Sequence, residues 1–295
     1  MTCDPQKRVC HAWDDPLRRW PTVAYVETSS TCNYRCLSCG NEHMRRFRGV
    51  MTYETFVGVA DKVKQRGILI GAMFGCGEPL MDDGIFEKMR YARSIDVIQP
   101  GGYIGFNTNA SLLTPDKYEP LLQLFPSVVF SVFNVGAAYD RLTGNGSWAK
   151  IYPRILDFIR YRDANRPEFN IFIGCNQVPG ADMQAVRAAF AGYRVSFETD
   201  PHIDWENPER LTGPLLRNAQ TGLLCDGMRG VLQVRPNGDC GFCAYDFFGT
   251  YDGRLETGIG NLLVNSWETL EANFRALWKQ PSTVCARCDY YNSAK

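Results

Sequence analysis

Long apolar runs are missing from this 295-residue chain. No stretch approaches the ~18–20 continuous apolar residues that a membrane-crossing helix needs, so no membrane partner is expected. The opening residues, Met1-Thr2-Cys3-Asp4-Pro5-Gln6-Lys7-Arg8, hold no apolar signal core. Secretion is therefore not expected, and the reading is cytoplasmic. Net charge is lacking too, because 32 basic residues balance 32 acidic ones. Without a positive field to hold phosphate backbones, nucleic acid is not expected as a main partner. Internal repeats and low-complexity segments are absent as well.

Cysteine, by contrast, is abundant, with twelve residues. In a secreted domain below ~100 residues they would read as disulfides; in a long chain without a signal they read as bound metal in a reducing compartment. Cys3 and Cys10, in a polar arm with three prolines, are taken as incidental. The organising stretch is Thr31-Cys32-Asn33-Tyr34-Arg35-Cys36-Leu37-Ser38-Cys39-Gly40, just after the apolar run Val23-Ala24-Tyr25-Val26. Three thiolates at CxxxCxxC spacing can converge on one metal centre, and soft sulfur selects iron–sulfur clusters or zinc. A cubane cluster takes four ligands, so this loop would leave one iron open. On spacing alone, a zinc knuckle with a fourth ligand from elsewhere fits equally, as do three unrelated buried thiols.

Apolar patterning predicts strands at Val23–Glu27, Ile68–Phe74, Gly101–Phe106, Ser127–Phe133, Phe169–Gly174 and Arg194–Glu198. Helices are expected over Thr52–Arg66 (closed by Gly67), from near Asp82, and over Pro115–Phe125, Trp148–Arg162 and Ala181–Phe190. Such alternation means parallel βαβ units, as an open doubly wound sheet or a partial barrel. In either, chemistry belongs at the C-terminal strand ends. The cysteine loop, Gly75-Cys76-Gly77-Glu78-Pro79 and Asn107-Thr108-Asn109-Ala110 all fall there. Beyond about residue 205 the pattern changes to turn signals and renewed cysteines. A hairpin is expected around Pro236-Asn237-Gly238, and a helix over Trp267–Trp278. The expected division is an arm (1–22), a barrel (23–206) and a small C-terminal unit (207–295).

With these residues in hand, the chain resembles the radical S-adenosylmethionine (SAM) enzymes. The matching features are Cys32-x3-Cys36-x2-Cys39, Gly75-Cys76-Gly77-Glu78-Pro79 after strand 2, Thr108-Asn109-Ala110 after strand 3, and Ser131 with Asn134 closing strand 4. The resemblance implies an α/β fold, a partial (β/α)6 barrel. It implies that the triad holds a [4Fe–4S] cluster whose open iron takes the SAM amino and carboxylate groups. Gly75, Cys76, Gly77, Glu78 and Pro79 would meet the SAM amine, Ser131 and Asn134 its ribose, with Asn109 also on the SAM side. The C-terminal part is similar to the twitch/SPASM extension: Cys225, Gly238, Cys243, then Cys285-x2-Cys288. That resemblance implies a second [4Fe–4S] cluster on Cys225, Cys243, Cys285 and Cys288. Two positions depart from the family: Ser38 stands where an aromatic residue is common, and Cys76 replaces a glycine.

The chemistry so implied is abstraction of a carbon-bound hydrogen by a 5′-deoxyadenosyl radical, after one-electron reduction by a flavodoxin or ferredoxin. A thiol that returns hydrogen from the opposite face makes an epimerase; loss of a proton and an electron makes a dehydrogenase. Cys240, spare beside the second cluster, is the first candidate donor, and Cys175, at the end of strand 5, the second. Each could equally be a buried small hydrophobe. Beyond strand 6, Glu198, Asp200, Asp204 and Glu206 form an acidic run that would attract a cationic substrate such as an amino sugar or aminocyclitol. The expectation is therefore an aminoglycoside-type epimerase, with a dehydrogenase as runner-up. Peptide modification and a zinc-stabilised binding module stand further back.

Overall fold

A computed structural model describes residues 20–37, 39–44, 46–98, 104–199, 230–241 and 258–279. Its elements run β1 (Val23–Val26), α1 (Tyr53–Gln65), β2 (Leu69–Ala72), α2 (Ile85–Ser94), β3 (Gly105–Thr108), α3 (Tyr118–Leu124), β4 (Ser127–Ser131) and α4 (Gly136–Thr143). There follow α5 (Trp148–Asn165), β5 (Asn170–Gly174), α6 (Met183–Ala189), β6 (Ser196–Glu198), β7 (Val231–Val234), β8 (Asp239–Gly241), β9 (Gly258–Asn261) and α7 (Trp267–Lys279). Among the described residues, no helix is long and apolar enough to cross a membrane.

The first helix shows how the pattern becomes packing. Phe56, Val59, Ala60 and Val63 recur at helical spacing and are all fully buried. Burying each large apolar side chain contributes roughly 1.5–3 kcal/mol. Thr52 starts the helix by accepting the Thr55 N–H at 3.1 Å. Gly67 stops it in a left-handed conformation, φ 75°, that a Cβ would oppose.

β3, β4, β5 and β6 pair in sequence order, every pair parallel. β1 pairs parallel with β2, and an isolated parallel bridge joins Ile70 to Ile98. This is the expected parallel α/β layout with helices outside. Phe130 of β4 meets Phe158 of α5, and the Arg187 guanidinium of α6 lies over Phe197 of β6. Strand alternation then puts Val129, Ser131, Gly174 and Glu198 on the opposite, inner face.

Three details differ from expectation. β3 runs past its expected end at Phe106, because Asn107 and Thr108 join the ladder opposite Val129 and Phe130. α4 was not expected; it is a short helix between β4 and α5. Third, the hairpin expected around Pro236-Asn237-Gly238 is present as β7 and β8, and it joins the sheet of β1, a pairing the sequence did not predict. β7 pairs parallel with β1 along its whole length, Val23 with Val231 through Val26 with Val234, giving the order β2-β1-β7-β8-β9. α7 closes over this sheet, with Phe274 stacked on Trp20 at 4.1 Å.

Candidate functional site

β1 delivers the chain into the cysteine loop at the C-terminal end of the sheet. The loop is held by α4: the Arg35 N–H donates to the Thr143 carbonyl at 3.2 Å, and the Leu37 N–H to Leu142 at 2.9 Å. Carbonyls at the end of a helix have no partner within it, so α4 offers ready acceptors. Gly144 follows at φ 74°, and a Cβ there would come within 2.5 Å of the Arg35 carbonyl. Only glycine lets the two segments meet.

Cys32, Cys36 and Cys39 are half-buried, and none of them is in a disulfide. Cys32 Sγ accepts the Tyr34 N–H at 3.4 Å, and Cys39 Sγ accepts the Asn41 N–H at 3.4 Å. Asn109 Nδ2 lies 3.9 Å from Cys32 Sγ. Burial pushes the Cys32 thiol up to about 11, helped by the charges of Glu78 and Cys39 and opposed by the Tyr34 N–H. A metal reverses that balance, since a coordinated thiol is deprotonated outright. The described side chains form no closed cage: Cys32 and Cys39 are neighbours, while Cys36 lies near the Tyr34 and Tyr139 hydroxyls. In donor chemistry the set fits an iron–sulfur cluster: three soft sulfurs on one loop, with N–H groups directed at two of them.

The Gly75–Pro79 loop follows β2 and crosses the end of β1. A Cβ on Gly77 would sit 2.3 Å from the Ser29 carbonyl and 2.6 Å from that of Thr31. Glu78 is buried and accepts three donors: the Leu80 N–H at 3.1 Å, the Thr108 hydroxyl at 2.6 Å and the Asn109 N–H at 2.8 Å. Burial pushes this carboxyl up to about 7 against the pull of those bonds. Because it is raised above its free value of 4.5, ionising it opposes folding increasingly between about pH 4.5 and 7. A cation arriving beside it would relieve that cost.

Thr108 also accepts the Ala110 N–H at 3.0 Å. Thr108→Val leaves both groups short of a partner in a buried site. It is expected to lower the unfolding free energy by about 1–3 kcal/mol. Chemical denaturation of wild type and variant measures this, and equal midpoints would show the lock to be dispensable.

Asn109 ties this lock to the triad: its Nδ2 donates to Asn33 Oδ1 at 3.0 Å, and Asn33 Nδ2 donates to Ser111 Oγ at 2.7 Å. Sequence reasoning missed Asn33 and Ser111, although Asn33 lies inside the motif. It also missed a buried ion cluster. Arg46 bridges Glu27, at 3.0 and 2.7 Å, and the Cys76 sulfur at 3.0 Å; Cys76 N–H donates to Glu27 at 2.6 Å. Arg235, just past β7, lies 3.9 Å from Glu27. Cys76 is therefore packed and held by a guanidinium, and burial raises its thiol pKa well above the ordinary value.

Other expected residues scatter. Ser131 lies on the inner face of β4. Asn134 spends its amide on the Gly180 carbonyl at 2.8 Å. Glu198 sits on the inner face, its carboxylate 3.8 Å from where a Cβ on Gly174 would be. Asp200, Asp204, Glu206, Cys225, Cys243, Cys285 and Cys288 lie outside the described residues.

The two candidate hydrogen donors, Cys240 and Cys175, are both buried. Cys240 pairs with Val234, which pairs with Val26, so all three share one sheet face. That face is fully buried. Lys62 of α1 is close enough to act on the Cys240 thiol, which burial pushes up to about 12. Cys240 thus lies in the apolar layer beneath a helix. Cys175 continues the Ile171, Ile173 alternation, and Ile173 shares its face with Phe130. Its thiol is buried toward the Phe133 carbonyl at 3.5 Å. Neither thiol faces the inner side.

The Radical SAM superfamily model matches residues 26–174, just over half of the chain. A cofactor-modifying protein for tungsten-containing aldehyde ferredoxin oxidoreductase, from Pyrococcus furiosus, is 30% identical over 112 residues. The match covers 38% of this chain and 30% of that protein, so the chain aligns with under a third of its relative. Among solved structures, BtrN in complex with AdoMet and 2-DOIA has a TM-score of 0.54 at 16% identity, covering 92% of this chain and 94% of that one. The anSMEcpe structure with bound AdoMet has a TM-score of 0.60 at 14% identity, covering 88% and 83%. Triad, barrel and family match agree: the chain belongs to the radical SAM superfamily of enzymes, with SAM and a [4Fe–4S] cluster as its cofactors.

Proposed function

We propose that the enzyme removes a carbon-bound hydrogen from a small cationic substrate of amino-sugar or aminocyclitol type and oxidises that carbon to a ketone. The carrying observation is the orientation of Cys175 and Cys240. Among the described residues, no thiol outside the triad and Cys76 faces the inner side. An epimerase of the kind expected from the sequence needs such a thiol to return hydrogen.

With cluster and SAM bound, the cofactors supply the 5′-deoxyadenosyl radical that takes the hydrogen atom. The chain's own residues prepare the site for it. Glu78, fixed by Thr108 and Asn109, offers a buried carboxylate to an ammonium. Asn33, Asn109 and Ser111 hold the triad loop against the end of β3. Glu198 presents a carboxylate on the inner face, the sign of charge that draws a cationic substrate. Oxidation removes a hydrogen atom, a proton and one electron in all. In this reading Cys225, Cys243, Cys285 and Cys288 would hold a second [4Fe–4S] cluster, which would supply the electron acceptor. The BtrN complex with 2-DOIA, on a similar fold, supports a small-molecule substrate.

Anaerobic turnover of candidate amino sugars in deuterated water tests this. The expected product is a ketone without solvent deuterium, unchanged in Cys175→Ala and Cys240→Ala. An inverted carbon carrying deuterium would reinstate the epimerase.

A further inference from the structure

Between Asn33 and Val50 stand four arginines, at positions 35, 45, 46 and 48, against one glutamate, in a chain of zero net charge. Arg46 turns inward to Glu27. Arg35 and Arg48 are exposed, and so is Arg141 in the last turn of α4, the helix to which the loop is bonded. Arg48 reaches Asn41, whose N–H in turn meets Cys39 Sγ. On the same loop segments, two large apolar side chains face solvent: Leu37 at 58% and Phe47 at 48% exposure. Leu37 is the immediate neighbour of Cys36. Leu37 and Phe47 thus add exposed apolar area to segments that also carry exposed cations.

We infer that this outer side of the triad loop is the docking surface for an acidic one-electron carrier protein. Exposed cations steer an acidic partner and orient its approach. Leu37 and Phe47 supply apolar area to be buried once it arrives. The same loop holds the triad, so a carrier seated here stands at the outer side of the cluster's own ligands. One electron passes inward, the carrier is oxidised by one electron, and no atom or proton crosses. A second copy of this chain fits less well, because it would bring the same cations to the contact. The inference rests on the radical SAM reading and is independent of the substrate's fate.

The test uses the full-length protein with its cofactors, a flavodoxin as probe, and two variants: Arg35→Glu combined with Arg141→Glu, and Leu37→Ser. Two readouts are compared. The first is affinity for oxidised flavodoxin, followed by fluorescence anisotropy. Both variants are expected to weaken it at least about tenfold, and the wild-type affinity to fall steeply as salt shortens the reach of exposed charges. The second is SAM cleavage, driven either by reduced flavodoxin at subsaturating concentration or by dithionite. The flavodoxin-driven rate should fall by a similar factor while the dithionite-driven rate stays at wild type. Unchanged flavodoxin affinity in both variants overturns the proposal. So does an equal loss with dithionite, which would make the face part of the site's own integrity. Self-association of the wild type that Leu37→Ser abolishes would assign the face to a second copy instead. If wild type fails to cleave SAM even with dithionite while still binding flavodoxin through this face, the enzymatic reading fails and the docking surface stands.

Discussion

Cys36→Ala, like Cys32→Ala and Cys39→Ala, is expected to reduce 5′-deoxyadenosine release to the level without enzyme. Three ligands for a cluster that needs one open iron leave no redundancy. Nor can another described thiol substitute. Cys76 is held by Arg46, and Cys175 and Cys240 lie on helix-facing sides of their sheets. The fold should survive the change, because the loop is anchored through the backbone N–H groups of Arg35 and Leu37 on the α4 carbonyls. Those bonds do not depend on the thiols. The measurements are chromatographic 5′-deoxyadenosine, iron content and circular dichroism. Iron should fall by about four atoms per chain, one for each corner of the cubane. Wild-type cleavage by any of the three variants would defeat the ligand assignment.

The second large effect concerns stability and comes from Glu27→Gln. Glu27 is 1% exposed and meets two arginines that are themselves nearly fully buried, Arg46 and Arg235. Neutralising the carboxylate leaves two guanidinium charges facing each other in a medium that screens poorly. Breaking a buried pair by removing one partner typically costs about 3–5 kcal/mol. The glutamine amide is close to isosteric, so the loss reports charge and not volume. Glu27 also accepts the Cys76 N–H, so the Gly75–Pro79 loop should loosen and KM for SAM should rise. Glu27→Asp, which keeps the charge on a shorter arm, should fall between. Thermal and denaturant midpoints together with KM for SAM measure both effects. A Gln variant within about 1 kcal/mol of wild type would mean that water or a third group compensates the arginines.

What the sequence determined by itself was local. The order of strands and helices follows from apolar periodicity, and the three-cysteine spacing needs no tertiary knowledge, because its ligands share eight residues of chain. The placement of the Gly75–Pro79 loop and of Thr108–Asn109 at strand ends follows in the same way. The side on which Cys175 lies was also within reach, since Ile171 and Ile173 already mark its face. Cys240 was not, because its face depends on pairing with Val234 and, through it, with Val26 more than two hundred residues earlier. In a strand the side chains alternate, so one step of register moves a thiol from the chemistry to the helix layer. The partnership of Glu27, Arg46 and Arg235, the docking of the loop on α4 and the joining of β7 to β1 are of the same kind. Tertiary structure alone decided them, because each is a contact between residues whose local patterns carry no mark of the other.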